Sequence, residues 1–123
     1  MSQDKKVLLI IDDEEDIVDC LQYEFEAQGY EVHCAANGQA GLKKMQEKMP
    51  DCILLDMNMP KMDGREFYEQ VCKEGIDGRV PIIALTAQVK IDDLFKGFNV
   101  EAYIAKPFNI DQVLKTVELT IKN

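Results

Sequence analysis

Polar or charged side chains follow directly after four short apolar runs in this sequence. They are Asp12 with Asp13, Asp56, Thr86 and Lys106. Carboxylate oxygens bind Mg²⁺, and an aspartate can act as the nucleophile in aspartyl-phosphate chemistry. Hydroxyl and ammonium groups bind phosphate oxygens. The set therefore predicts a site for a metal ion and a phosphoryl group, if the fold brings the four places together.

The apolar runs have the character of buried strands, and helical patterns separate them. Strands are predicted at about Lys6–Ile11, Glu31–Ala35, Cys52–Asp56, Pro81–Thr86 and Ala102–Ala105. Helices are predicted at about Glu15–Gln28, Gln39–Lys48, Arg65–Glu74, Ile91–Phe98 and Ile110–Ile121. This alternation indicates an α/β fold with a parallel sheet covered on both faces. Ligands of such sheets bind beyond the carboxyl ends of the strands, which is where the polar groups fall.

Length and composition narrow the class of protein. The 123 residues suit one domain, and 46% hydrophobic with 30% charged residues is a soluble globular mixture. The formal net charge of −9 argues against nucleic acid as a partner. Neither a transmembrane run nor a signal-peptide core is present, so the expected location is the cytoplasm. The four cysteines form no C-x-x-C pair and are expected to be reduced and to pack in the core.

Most of these polar residues, taken singly, have an ordinary structural explanation. Asp13 could be the N-cap of the first helix, with acidic residues behind it favouring the positive end of the helix dipole. Thr86 is also a common strand residue, and Lys106 could be a solvated surface lysine. Asp56 is the stronger signal, because a carboxylate ending an apolar strand must be paired, hydrogen-bonded or bound to metal. The functional prediction rests on the combination.

In this combination the chain resembles the receiver domain of response regulators, from about Lys5 to the C-terminus. The matching motifs are Ile11-Asp12-Asp13-Glu14, Leu54-Leu55-Asp56-Met57-Asn58-Met59-Pro60, Met62-Asp63-Gly64, Leu85-Thr86-Ala87 and Tyr103-Ile104-Ala105-Lys106-Pro107-Phe108. The resemblance implies a flavodoxin-like, doubly wound sheet of five parallel strands in the order 2-1-3-4-5. It also implies one receiver domain over residues 1–123, of the stand-alone chemotaxis type without an output domain.

The resemblance assigns a role to each site residue. Asp56 would accept a phosphoryl group from a histidine kinase or a histidine phosphotransfer protein. Mg²⁺ would be bound by the carboxylates of Asp13 and Asp56, by the backbone carbonyl of Asn58, and by Asp12 through a water. Thr86 and Lys106 would hold the phosphoryl oxygens, and Tyr103 would change rotamer with Thr86 on activation.

The implied function is a signalling switch and not an enzyme. Phosphorylation would alter the face formed by the fourth predicted helix, the fifth strand and the closing helix, and so control a protein partner. A monomer or weak dimer is expected. Two alternatives stay open: a receiver excised from a larger hybrid kinase or regulator, and an interaction module that is not phosphorylated. A phosphohydrolase of the haloacid dehalogenase type is disfavoured, because it needs D-x-D where this chain has Asp12-Asp13-Glu14.

Overall fold

A computed structural model describes residues 5–57, 64–73, 80–86 and 101–122. Its strands are β1 (Val7–Ile11), β2 (Glu31–Ala35), β3 (Cys52–Asp56), β4 (Ile82–Thr86) and β5 (Ala102–Ala105). Its helices are α1 (Glu15–Ala27), α2 (Gly38–Glu47), α3 (Gly64–Lys73) and a C-terminal helix (Ile110–Lys122). The elements predicted in these ranges are confirmed to within a residue or so at each end. Asn58 and the predicted helix around Ile91–Phe98 lie outside the described residues.

The five strands form one sheet in the order β2-β1-β3-β4-β5, and every neighbouring pair is parallel. The predicted topology is therefore confirmed. In register, Ile11 lies opposite Leu55, and Thr86 lies opposite Ala105. The carboxyl ends of four strands consequently meet along one edge. The chain leaves β1 toward β2 and then returns to β3, so the crevice between β1 and β3 is the place where such folds bind ligands.

Both faces of the sheet are covered, because successive residues of each inner strand point to opposite sides. In β1, Leu9 and Ile11 pack into a cluster with residues of α2 and α3. Leu8 and Ile10 pack into a second cluster with residues of α1 and the C-terminal helix. All five residues of β1, β3 and β4 are buried, which explains their continuous apolar character.

Local signals in the sequence position the helices around this sheet. Gly29 has φ of 95°, and its left-handed conformation ends α1. Asn37 caps α2, since its side chain accepts a hydrogen bond from the Ala40 amide. A Cβ built on Gly41 would lie 2.5 Å from Cδ1 of Ile11, so the absence of a side chain lets α2 approach β1 closely.

Across the described ranges, every helix is too short or too polar to cross a membrane.

Candidate functional site

Asp12 is held in place by the strand that precedes it and by the helix that follows. Its amide donates a hydrogen bond to the carbonyl of Ala35, so the β1–β2 ladder continues one residue past the end of β1. Its Oδ1 accepts a hydrogen bond of 2.9 Å from the amide of Glu14, and its Oδ2 lies 3.2 Å from Nζ of Lys106. Asp12 is only 2% exposed, and both of its carboxylate oxygens are engaged.

Asp56 is the last residue of β3, and its carboxylate joins those of Asp12 and Asp13. Ligand oxygens of the three residues all lie within 4.8 Å of one another. Asp56 is 1% exposed, whereas Asp13 is exposed to solvent. Three carboxylates at this separation repel one another, and two of them have little water to screen them. The structure thus brings together the three side-chain metal ligands predicted from the sequence.

Lys106 supplies a positive charge to this acidic cluster. Its amide donates to the carbonyl of Thr86, which extends the β4–β5 pairing and aims the residue at the site. Its Nζ lies 3.5 Å from Oδ2 of Asp56 and 3.0 Å from Oε1 of Glu14, in addition to its contact with Asp12. Burial alone would lower the pKa of Lys106. The hydrogen bond to Glu14 and the charges of Asp12 and Asp56 outweigh it and raise that pKa above its ordinary value.

Thr86 and Tyr103 lie at different heights in the sheet. Thr86 is fully buried at the end of β4, one residue beyond Leu85, which is the register partner of Asp56. Tyr103 lies opposite Ala84, two residues before Thr86, so it is set back from the carboxyl end. Tyr103 is 41% exposed.

The alternative prediction that Asp13 caps the first helix is wrong. The N-cap of α1 is Glu14, whose backbone is extended and whose side chain makes no capping hydrogen bond. The Asp12 carboxylate instead accepts the Glu14 amide. The cap pattern could not distinguish three adjacent acidic residues, because the choice depends on where the backbone turns helical. Sequence reasoning also missed the contact of Glu14 with Lys106, for which the only signal was a third acidic residue in the run.

The donor set fits Mg²⁺. This small, hard cation prefers carboxylate oxygens and retains several waters. Here three carboxylates converge, and one of them is open to solvent. The ammonium of Lys106 contacts the carboxylates of Asp12, Glu14 and Asp56, and Asp13 adds a fourth carboxylate to the cluster. A divalent cation would therefore offset a net negative charge.

Comparison of the sequence with known protein families gives a match over most of the chain. Residues 8–118 match the family described as the response regulator receiver domain. The chain belongs to that family. Receiver domains are signalling phosphoacceptors rather than catalytic enzymes, and they bind Mg²⁺ at an acidic pocket. They interact with histidine kinases or phosphotransfer proteins and with downstream effectors.

Relatives of this receiver domain can be aligned with it over nearly the whole chain. The alkaline phosphatase synthesis transcriptional regulatory protein PhoP of Bacillus subtilis is 38% identical over 119 residues, which are 95% of this chain and 49% of PhoP. The chain thus spans about half the length of that relative. Among solved structures, the chemotaxis protein CheY4 of Vibrio cholerae is 31% identical, with a TM-score of 0.86, covering 94% of this chain and 98% of CheY4.

A further solved structure bears on the acidic pocket. The response regulator protein TrrA of Thermotoga maritima, solved in complex with Mg²⁺ and BeF, is 31% identical to this receiver domain. The TM-score is 0.81, and the match covers 94% of this chain and 98% of TrrA.

Proposed function

We propose that this receiver domain is a phosphorylation-dependent switch whose phosphoacceptor is Asp56. The observation that carries the proposal is the position of its carboxylate. It is buried at the end of β3, within 4.8 Å of two further carboxylates, and 3.5 Å from the ammonium of Lys106. A carboxylate in such surroundings stays ionised only with help from cations, and an ionised carboxylate is the nucleophile that aspartyl-phosphate chemistry requires.

The transfer step forms one bond and breaks another. An oxygen of Asp56 attacks the phosphorus of a phosphohistidine on a kinase or phosphotransfer protein and forms an acyl phosphate. The bond from phosphorus to the imidazole nitrogen breaks, and its electron pair leaves with the imidazole. Lys106 and Thr86 hold the phosphoryl oxygens, because an ammonium and a hydroxyl at neighbouring strand ends both donate hydrogen bonds to anions.

Asp12, Asp13 and Asp56 would hold Mg²⁺ with the backbone carbonyl of Asn58, and Asp12 would act through a water. The indirect role of Asp12 is supported by its hydrogen bonds, because both of its carboxylate oxygens already accept one. The bound cation would neutralise the carboxylates and the transferring phosphoryl group.

Phosphorylation would change the surface around β5. The phosphoryl group adds a charge of about −1.5 to −2 and three acceptor oxygens. Thr86 drawn toward them would leave space beside β5 for Tyr103, whose ring is partly exposed in this structure. Residues 1–123 would act as one receiver domain, and the altered face, which includes β5 and the C-terminal helix, would control a protein partner.

A mass measurement tests the phosphoacceptor assignment. The protein is incubated with Mg²⁺ and acetyl phosphate, which transfers its phosphoryl group to Asp56 and leaves as acetate. Wild type should gain one phosphoryl mass, and Asp56→Asn should gain none. Lys106→Ala should be labelled much less, and a chelator should abolish labelling. Asp51→Asn is the matched control, because Asp51 precedes the same strand at its opposite end.

Equal labelling of wild type and Asp56→Asn would show that Asp56 is not the acceptor. Absence of labelling in every variant would favour an interaction module that is not phosphorylated.

A further inference from the structure

Lys106 has a partner outside the three-carboxylate cluster. The shortest of its ion pairs joins its Nζ to Oε1 of Glu14 at 3.0 Å, compared with 3.2 Å to Asp12 and 3.5 Å to Asp56. The side chain of Glu14 is 57% exposed, whereas those of Asp12 and Asp56 are 0% and 2% exposed. The ammonium therefore lies between a buried pair of carboxylates and one carboxylate at the rim of the site.

The number of donors on Lys106 limits what it can bind. An ammonium has three N–H groups, and three carboxylates already surround it. Asp56 would itself carry the phosphoryl group, so a phosphoryl oxygen that binds the ammonium competes with the two nearer carboxylates, those of Asp12 and Glu14. Asp12 is buried and further held by the Glu14 amide. Glu14 is the partner that water can re-solvate at little cost, because its side chain is mostly exposed.

We propose that Glu14 is a releasable counter-ion for Lys106, a positioning residue that competes with the phosphoryl group and so lowers the affinity of the site for it. This inference rests on the proposed function. Glu14 holds the ammonium at the rim before phosphorylation and gives it up when the phosphoryl group arrives. Glu14 thereby sets how strongly Lys106 favours the phosphorylated state.

Binding of a phosphoryl mimic measures this competition. Beryllofluoride is titrated in the presence of saturating Mg²⁺ and followed by NMR. Glu14→Gln should bind it about two- to five-fold more tightly than wild type, the range expected for removing one partly exposed ion pair. Glu14→Asp should also bind more tightly, since it keeps the charge but is one methylene shorter. Glu15→Gln removes the same charge from the adjacent exposed residue and should bind like wild type.

A second readout needs neither Mg²⁺ nor the mimic. The NMR signals of the Lys106 side-chain ammonium should shift in Glu14→Gln and Glu14→Asp and stay unchanged in Glu15→Gln. Unchanged or weaker binding by both Glu14 variants would overturn the competition, as would an equal gain in Glu15→Gln. The proposed function fails separately, if wild type shows no saturable binding or Asp56→Asn binds equally well.

Discussion

Neutralising Asp56 while preserving its shape is expected to stabilise the protein when no metal is bound. With an effective dielectric constant of about 20, repulsion from Asp12, whose nearest ligand oxygen lies within 4.8 Å, is worth at least about 3.5 kcal/mol. Attraction to Lys106 at 3.5 Å is worth about 4.7 kcal/mol in the opposite direction. The exposed Asp13 adds at most about 1 kcal/mol of repulsion after solvent screening. These charge interactions nearly cancel.

Desolvation then decides the sign of the effect. Asp56 is 1% exposed, and burying an ionised group costs several kcal/mol, which its partners here do not recover. Asparagine occupies the same volume without the charge. Asp56→Asn should therefore raise the free energy of unfolding by about 1 to 3 kcal/mol. A residue that costs stability where it stands is typical of a functional site.

Urea unfolding followed by circular dichroism provides the assay, since the chain has no tryptophan. It is run at pH 7 and low salt, with a chelator and then with Mg²⁺. Mg²⁺ at ten times its dissociation constant should add about 1.4 kcal/mol to the free energy of unfolding of wild type and less to that of Asp56→Asn. The difference in stability between the two proteins should therefore narrow. Asp51→Asn is the control, because Asp51 accepts the Val7 amide outside the cluster and should gain nothing. The reasoning is refuted if Asp56→Asn is less stable than wild type in the chelator.

Three further predictions concern Lys106, Gly41 and Cys52. Lys106→Met should lower the free energy of unfolding by about 2 kcal/mol or more, because the buried carboxylates of Asp12 and Asp56 no longer have a cation beside them. The folded-state pKa of Lys106 is raised, so its contribution to stability is fully present below the pKa of an unfolded-state lysine, about 10.4. Above that pH, the difference in unfolding free energy between wild type and Lys106→Met, measured in urea, should shrink. Gly41→Ala should lower the free energy of unfolding by about 1 kcal/mol in the same assay, because the clash of the new Cβ with Ile11 exceeds the gain in helix propensity. Adding Ile11→Val should restore part of that loss. A Gly41→Ala variant more stable than wild type would contradict this reasoning. Burial raises the pKa of the Cys52 thiol to about 12, whereas Cys20 is exposed. Alkylation at pH 8, mapped by mass spectrometry, should therefore modify Cys20 well before Cys52. Equal alkylation rates would contradict the burial of Cys52.

The positions of the strands could be predicted because the apolar runs have the length and flanking residues of buried parallel strands, whereas the order of the strands came from the resemblance to receiver domains. Gly29 and Asn37 likewise act through local backbone chemistry that can be recognised in the sequence. The helix cap at Asp12–Glu14 could not be predicted, because adjacent acidic residues offer the same chemistry and the backbone angles choose between them. The roles of Asp56 and Lys106 came from their joint resemblance to receiver domains, whose acidic pocket the structure reproduces.

The ion pair between Lys106 and Asp12 joins residues 94 positions apart, near opposite ends of the described chain. During synthesis the acidic groups emerge from the ribosome before Lys106, which follows β5 in the chain. The acidic cluster therefore lacks its own counter-charge until β5 has paired with β4. The pocket is assembled late, so a nascent chain would not offer a phosphodonor the complete site, and signalling competence would coincide with completion of the sheet.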